Sequence, residues 1–159
     1  MILVKFGTEI KGEAKVDGHQ DWITVDSFQL GVGRQVTTTG SGSDRDTSNP
    51  SFSEATFSRG SDRASPELFM QAIAGKSLGK AEVHFLQTGG VDSKGQVYLK
   101  YELEDAIVTN YSISSGGERP SESFSLHFNK ISMQYDTFTG AEKKAGTPKK
   151  WNLVMQQTY

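Results

Sequence analysis

The sequence predicts a mainly β protein, an antiparallel sandwich or closed barrel with one short helix laid over one side or end. Three observations predict it. Short runs of alternating apolar residues recur along the chain between clusters of Gly, Asp, Asn and Ser, the spacing of an all-β fold. One stretch alone, Ser65 to Gly75, carries helical spacing together with a start and a stop signal. Residues 37–51 contain no apolar side chain, so they bury no core face and are predicted to form a long projecting loop.

Size and charge set the outer limits. A chain of 159 residues fits one domain over 1–159 with a single core. With 17 basic and 19 acidic residues and a net charge of -2, it lacks the broad electropositive footprint that nucleic acid or an anionic membrane requires. It has no cysteine, which excludes disulfides, thiolate catalysis and thiolate-bound metal and suits a reducing compartment. The run Met1 to Gly7 is too short for a secretory apolar region, and no stretch approaches the ~20 apolar residues of a membrane helix. A protein made in the cytosol and not inserted in a membrane is expected.

Taken in order, Ile2, Val4 and Phe6 alternate with Leu3 and Lys5 as a first strand. In the second run Ile23 and Val25 share one parity, whereas Phe28, Leu30 and Val32 hold the other. A strand that keeps its apolar side inward through such a slip must bend, and the bend is predicted at Asp26-Ser27. After the polar loop, Phe52 to Ser58 is apolar on both parities and leads to the helix. Ser65 is the expected N-cap and Pro66 the first helical residue, where its missing N–H costs nothing. Glu67 suits the positive end of the dipole, and Gly75 suits a left-handed stop. Leu68, Phe69, Ala72 and Ile73 form one wide face, expected to pack into the core, because a helix this short is marginal on its own.

Beyond the helix, 81–88 and 96–103 read as a hairpin joined through Gly89 to Gly95, and 105–114 as another strand. The longest strand signal, Glu122 to Tyr135, changes parity at Asn129-Lys130, which predicts a second bulge. Trp151 to Met155 is expected as a last short strand. Leu86, Tyr98, Ile107, Tyr111 and Ile113 fall opposite the expected core faces of their strands. Two readings fit them: scattered surface apolars, which are ordinary, or a sheet whose outer side is covered by a neighbouring subunit.

Motifs for catalysis or cofactor binding do not assemble. Gly75-Lys76-Ser77 resembles the end of a phosphate loop, but Met70 stands where its first glycine belongs and the motif should open a helix rather than close one. Gly40-Ser41-Gly42 is followed by Arg45 instead of a third glycine. Asp44, Asp46 and Ser48 imitate a calcium loop, yet Asn49 and Ala55 replace the turn glycine and the bidentate glutamate. His19, His84 and His127 share no zinc-site spacing, and no nucleophile elbow marks a serine. The expectation is a protein without catalytic residues, metal or cofactor. Lys143, Lys144, Lys149 and Lys150 are expected in a solvated turn.

The ordered pattern resembles the haemolysin-coregulated protein (Hcp) family of bacterial type VI secretion systems. The residues carrying the likeness are Ile10-Lys11-Gly12-Glu13, Gly18 to Val25, Phe28-Gln29-Leu30-Gly31, Ala64 to Leu68, Gly75-Lys76, Tyr98 to Leu103, Val108 to Ser112, Gly116 to Phe128 and Trp151-Asn152-Leu153. The family often carries tryptophan where Phe28 and Leu30 stand, and a Pro-Gln pair where Asp136-Thr137 stand. The resemblance implies a β-barrel of two sheets with a flanking helix, assembled as a hexameric ring. It further implies rings stacked into a tube that a contractile sheath expels, with a baseplate, a spike protein at the tip and effectors in the lumen. It implies that residues 37–51 help rings meet, with Asp44, Arg45 and Asp46 expected at the ring-to-ring contacts, and Gln29, on the parity opposite Phe28 and Leu30, is expected on the lumen wall. The rival expectation from the strand pattern is a monomeric barrel that binds a small ligand or carbohydrate.

Overall fold

The structure, a computed structural model, describes residues 1–38, 45–88 and 95–159, with Asp46 described in its backbone only. In chain order the elements are β1 (Ile2–Phe6), β2 (Ile23–Val25), β3 (Ser27–Gln29), β4 (Val32–Gly33), β5 (Val36–Thr38), β6 (Arg45–Thr47), β7 (Ser51–Phe52), β8 (Ala55–Gly60), α1 (Ser65–Ala74), β9 (Ala81–Thr88), β10 (Gly95–Glu104), β11 (Ile107–Ser114), β12 (Ser121–His127), β13 (Lys130–Tyr135), β14 (Thr137–Thr139), β15 (Glu142–Lys144) and β16 (Lys149–Asn152). The expected mainly β, antiparallel architecture is present. A six-stranded sheet runs β16-β13-β10-β9-β1-β2, and a four-stranded sheet runs β11-β12-β8-β3.

The two sheets share one core because strands on both alternate toward it. Val4, Phe6, Ile23, Val83 and Leu103 from the first meet Phe57, Phe124 and Leu126 from the second. Phe57 and Phe124 stack with ring centroids 4.8 Å apart. Phe28 joins from β3, 5.2 Å from Phe57 and 5.1 Å from Tyr101, so it spans both layers.

Both predicted parity slips are corners where the chain passes from one sheet to the other. β2 belongs to the six-stranded sheet and β3 to the four-stranded one, and at the predicted bend Asp26 donates its backbone N–H to Ser58 at 2.8 Å. The second slip is corrected. It is not a bulge inside one strand: the chain leaves the four-stranded sheet after β12 and enters the six-stranded sheet as β13, with Asn129 N–H bonded to Glu104 O at 3.0 Å. A change of sheet reverses which parity faces the core, which is what a corner between packed sheets does. The register shifts of the ladders lie elsewhere, at Val97/Leu99 and Val108/Asn110.

The helix is where predicted, but its cap and its buried face are not. Ala64 occupies the N-cap without a side-chain cap bond. The Ser65 hydroxyl is engaged elsewhere, accepting from Asp62 N–H at 3.0 Å and donating to Glu122 Oε1 at 3.0 Å, while Asp62 Oδ1 takes the Ala64 N–H at 2.8 Å. Gly75 closes the helix with φ of 64°, a conformation only glycine adopts cheaply. Of the predicted core face, Leu68 is buried and Ala72 half-buried, whereas Phe69 is 50 % and Ile73 64 % exposed. The helix rides on the edge strand β11 instead of plugging the core, so only its inner row is covered.

The polar segment 37–51 is not a plain loop. β5 and β6 pair antiparallel, Val36 opposite Thr47, and at the ribbon's base β4 pairs with β7, Val32 opposite Phe52. Exposed residues such as Thr37, Thr38, Arg45 and Thr47 can form a ribbon without a core because both faces are wet. The last strand is corrected too: it is Lys149–Asn152, and Asn152 Oδ1 then accepts from the N–H groups of Val154 and Met155, each at 3.0 Å, turning the chain.

Residues 7–22 cross the outer face of the six-stranded sheet. Trp22, Ala14 and Val16 cover Leu3 and Leu86 there in a second small core, so Leu86 is buried by its own chain, not by a neighbour. Gly12 makes this close approach possible. A Cβ at Gly12 would lie 2.3 Å from Trp22 O and 2.6 Å from Ile23 Cα.

Candidate functional site

No groups of three or more metal-ligating side chains occur among the described residues, and buried polar networks tie the elements together. Its most enclosed part joins α1 to the four-stranded sheet. Arg59 and Glu122 are buried and bonded at 2.6 Å, Arg59 also pairs with Asp62, and its Nε donates to Thr24 O at 3.2 Å. The Tyr111 hydroxyl donates to Glu122 Oε2, and Ser65 takes Oε1. Both carboxylate oxygens are therefore used, which a buried charge requires. Burial first, and then the bond to Glu122, push the Tyr111 phenol up to about 12.

A second buried cluster lies under residues 7–22. His19 Nε2 and His84 Nδ1 stand 2.9 Å apart, 65 residues apart in sequence, and both rings contact Trp22 with centroids at 4.6 Å. Burial, and then the charge of His19, lower His84 to about 4. The expectation that the histidines are satisfied polar groups fits this pair, but their mutual contact had no signal in the sequence.

The surfaces are more distinctive. On the four-stranded sheet the register places Ser27 and Gln29 of β3, Thr56 and Ser58 of β8, Ser123 and Ser125 of β12 and Ser112 of β11 on the side away from Phe28, Phe57 and Phe124. This face has hydroxyls and amides in neighbouring rows. Ser112 and Ser123 bond across strands at 2.7 Å, Thr56 and Ser125 at 3.2 Å, and Ser27 bonds Ser58. The period-two serines of β12 were a readable sign of it.

The predicted site residues separate into two places. Gln29 is exposed on this hydroxyl face. Arg45 and Asp46 lie on β6 of the ribbon, opposite Thr38 and Thr37, with Arg45 exposed. Asp44 lies outside the described residues. The predicted lysine turn is partly structural: Lys143 pairs with buried Asp136 at 3.0 Å. Burial alone would raise the Asp136 carboxyl, but bonds from Gly146 N–H, Gln134 and Lys143 outweigh it and hold it below the usual range.

Two apolar surfaces were missed. One is a ridge on α1, formed by Phe69, Met70 and Ile73, on the helix packed against the edge strand β11. The other is an apolar cleft of about 520 Å³ between the base of the ribbon and the six-stranded sheet, lined by Leu30, Val32, Phe52, Met133 and Trp151 with Arg34, Lys149 and Lys150 at its walls. Leu30 and Val32 follow β3 directly, so ridge and cleft belong to opposite edges of the four-stranded sheet.

Comparison with known proteins sets this architecture among relatives. The fold is similar to a solved type six secretion system protein, with TM-score 0.86 and 22 % identity over 99 % of this chain and 98 % of that one. It is similar to Hcp1 from Salmonella typhimurium, with TM-score 0.78 and 25 % identity over 99 % and 97 % of the two chains. A type VI secretion system effector from Yersinia pestis matches with TM-score 0.68 and 19 % identity over 96 % and 99 %. No curated protein matches the sequence. The family model for the type VI secretion system effector Hcp matches residues 4–135, a span that takes in both sheet corners, the helix and the hydroxyl face, and on that match the chain belongs to the Hcp family.

Proposed function

We propose that this Hcp protein is a non-enzymatic building block of the type VI secretion inner tube, assembling as hexameric rings that stack. The observation that carries the reading is the four-stranded sheet. Its edge strands β3 and β11 each pair on one side only among the described residues, and its outward face carries uncharged hydroxyl and amide side chains on all four strands. Open edges are usually blunted in a protein that works alone. Joined β3 to β11, copies would continue one sheet from subunit to subunit. The two edges differ, so the contact is heterologous and produces a closed ring when the rotation closes.

In that ring the hydroxyl face lines the bore and Gln29 stands on the lumen wall. A wall of short uncharged polar groups stays wet and holds no cargo by strong charge, which suits transport of unlike effectors. The ribbon built from β5 and β6, with Asp44, Arg45 and Asp46, is assigned to contacts between stacked rings. Sheath, baseplate, spike protein and effectors are the partners this role requires, and delivery is out of the cell through the secretion system. No helix among the described residues is long and apolar enough to cross a membrane.

Native mass measured by light scattering or native mass spectrometry tests the ring, with six chain masses expected. A monomer at high protein concentration would refute it and favour a monomeric binding protein, for which the apolar cleft is of ligand-pocket size. Arg45→Glu is expected to leave rings intact and shorten tubes in electron micrographs; unchanged tubes would remove the ribbon from the stacking contact.

A further inference from the structure

We infer that the ridge of α1 seats in the apolar cleft of the next copy, so that helix and cleft form the outer half of the subunit contact. The inference rests on the ring reading and adds to it the two surfaces that meet outside the lumen wall.

Three observations lead to one occupant. The ridge is convex and apolar: Phe69, Met70 and Ile73 are each half-exposed or more, on a helix too short to persist without packing. The cleft is concave and apolar, with Leu30, Val32, Phe52, Met133 and Trp151 in its walls and room for several side chains. The two sit at opposite edges of one sheet, ridge at β11 and cleft at β3. Any contact that brings β11 of one copy beside β3 of another therefore carries the ridge toward the cleft, and no second protein is needed to supply either part.

Charge favours the same pairing. Arg34, Lys149 and Lys150 stand around the cleft, and none forms an ion pair among the described residues. The helix presents the acidic side chain of Glu67 in its first turn, which suits a basic rim. The cleft wall also holds a buried donor that lacks a hydrogen-bond partner among the described residues, Trp151 Nε1. An unmet buried donor destabilises a subunit standing alone.

The chain has no cysteine, which makes site-directed cross-linking clean. The native mass of the unmodified full chain is measured first. Ile73→Cys is then combined, in separate full-length proteins, with Val32→Cys and with Met133→Cys, and each is oxidised under the assembling conditions. At least one pair is expected to give a ladder of covalent multimers ending at the ring, while the single variants stay uncross-linked. A ring by native mass with no ladder from either pair overturns the helix-in-cleft contact and leaves the ring reading standing. A disulfide-linked dimer from Ile73→Cys alone shows a symmetric helix contact and also overturns it. A monomeric native mass overturns both. As an independent arm, Phe69→Lys with Ile73→Lys is expected to abolish the ring while the monomer keeps the native circular dichroism spectrum and a cooperative melt; rings of normal mass would contradict the inference.

Discussion

Phe69 meets Tyr111 edge-on, with ring centroids 5.9 Å apart, yet half of Phe69 remains exposed, while its neighbour Leu68 is wholly buried. Adjacent residues on one helix turn thus do different work. Leu68→Ala should destabilise the isolated subunit by ~2 to 5 kcal/mol, the range for a buried leucine. Phe69→Ala should cost ~1 kcal/mol, because most of what it loses is one ring contact. Denaturant melts of the two variants, under conditions that keep the protein monomeric, check the contrast, and equal losses would show that Phe69 is buried after all.

Glu122 accepts from Arg59, Ser65 and Tyr111, which makes it the joint between α1 and three strands. Glu122→Gln leaves Arg59 with Asp62 as its only carboxylate and should cost ~3 kcal/mol or more, as removal of one member of a buried pair does. Tyr111→Phe removes one bond to a charged acceptor and should cost ~1.5 to 3 kcal/mol. Because the two share one carboxylate, the double variant should cost less than the sum. Strict additivity in the thermodynamic cycle would mean the hydroxyl and the carboxylate do not interact.

Stability should depend on pH through His84. Its folded value of about 4 lies below the ordinary 6.5, so the unfolded chain takes up a proton that the folded chain refuses. Stability is therefore full above pH ~7 and falls as pH drops from ~6.5 toward ~4, by up to ~3 kcal/mol at ~1.4 kcal/mol per unit. His19, Lys100 and Lys143 oppose the added charge and Glu82 favours it. His84→Gln should flatten this part of the profile, measured as melting temperature from pH 7.5 to 4.5 beside the parent; parallel curves would count against the mechanism.

Gly12→Ala should destabilise by ~3 kcal/mol, since its Cβ would enter the backbone of Trp22 and Ile23 and the neighbouring strand cannot yield as a side chain would. Chemical denaturation measures it. Tryptophan fluorescence should report the loosened cover over Leu3 and Leu86 in the same experiment.

The alternation that bound strands to one core was written in the residues themselves: Ile2, Val4 and Phe6, or Phe124 and Leu126, could face only one way. The slip between Val25 and Phe28 was equally plain, since a strand cannot turn its apolar side outward without a corner. The slip after Phe128 was visible, but a bulge and a change of sheet leave the same parity mark, and only the partner strand tells them apart. Helix α1 shows the opposite case. Its apolar stripe gave no means of separating a row buried in the subunit from a row left for another surface, because both are simply apolar. The His19–His84 contact and the Leu30–Trp151 cleft depend on residues far apart in the chain, so no local pattern announces them. The ribbon of 36–38 and 45–47 was hidden for another reason: a two-stranded element wet on both faces needs no apolar residues, and its absence of hydrophobicity looks like a loop.

The corners at Asp26 and Asn129 have a mechanical consequence. There the backbone itself crosses between the two layers, so sliding one sheet over the other strains covalent bonds and the hydrogen bonds to Ser58 and Glu104, not merely greasy contacts that can slip and re-form. Pull or push on either layer is shared with the other at two seams, and the subunit should respond to load as a stiff plate that yields all at once.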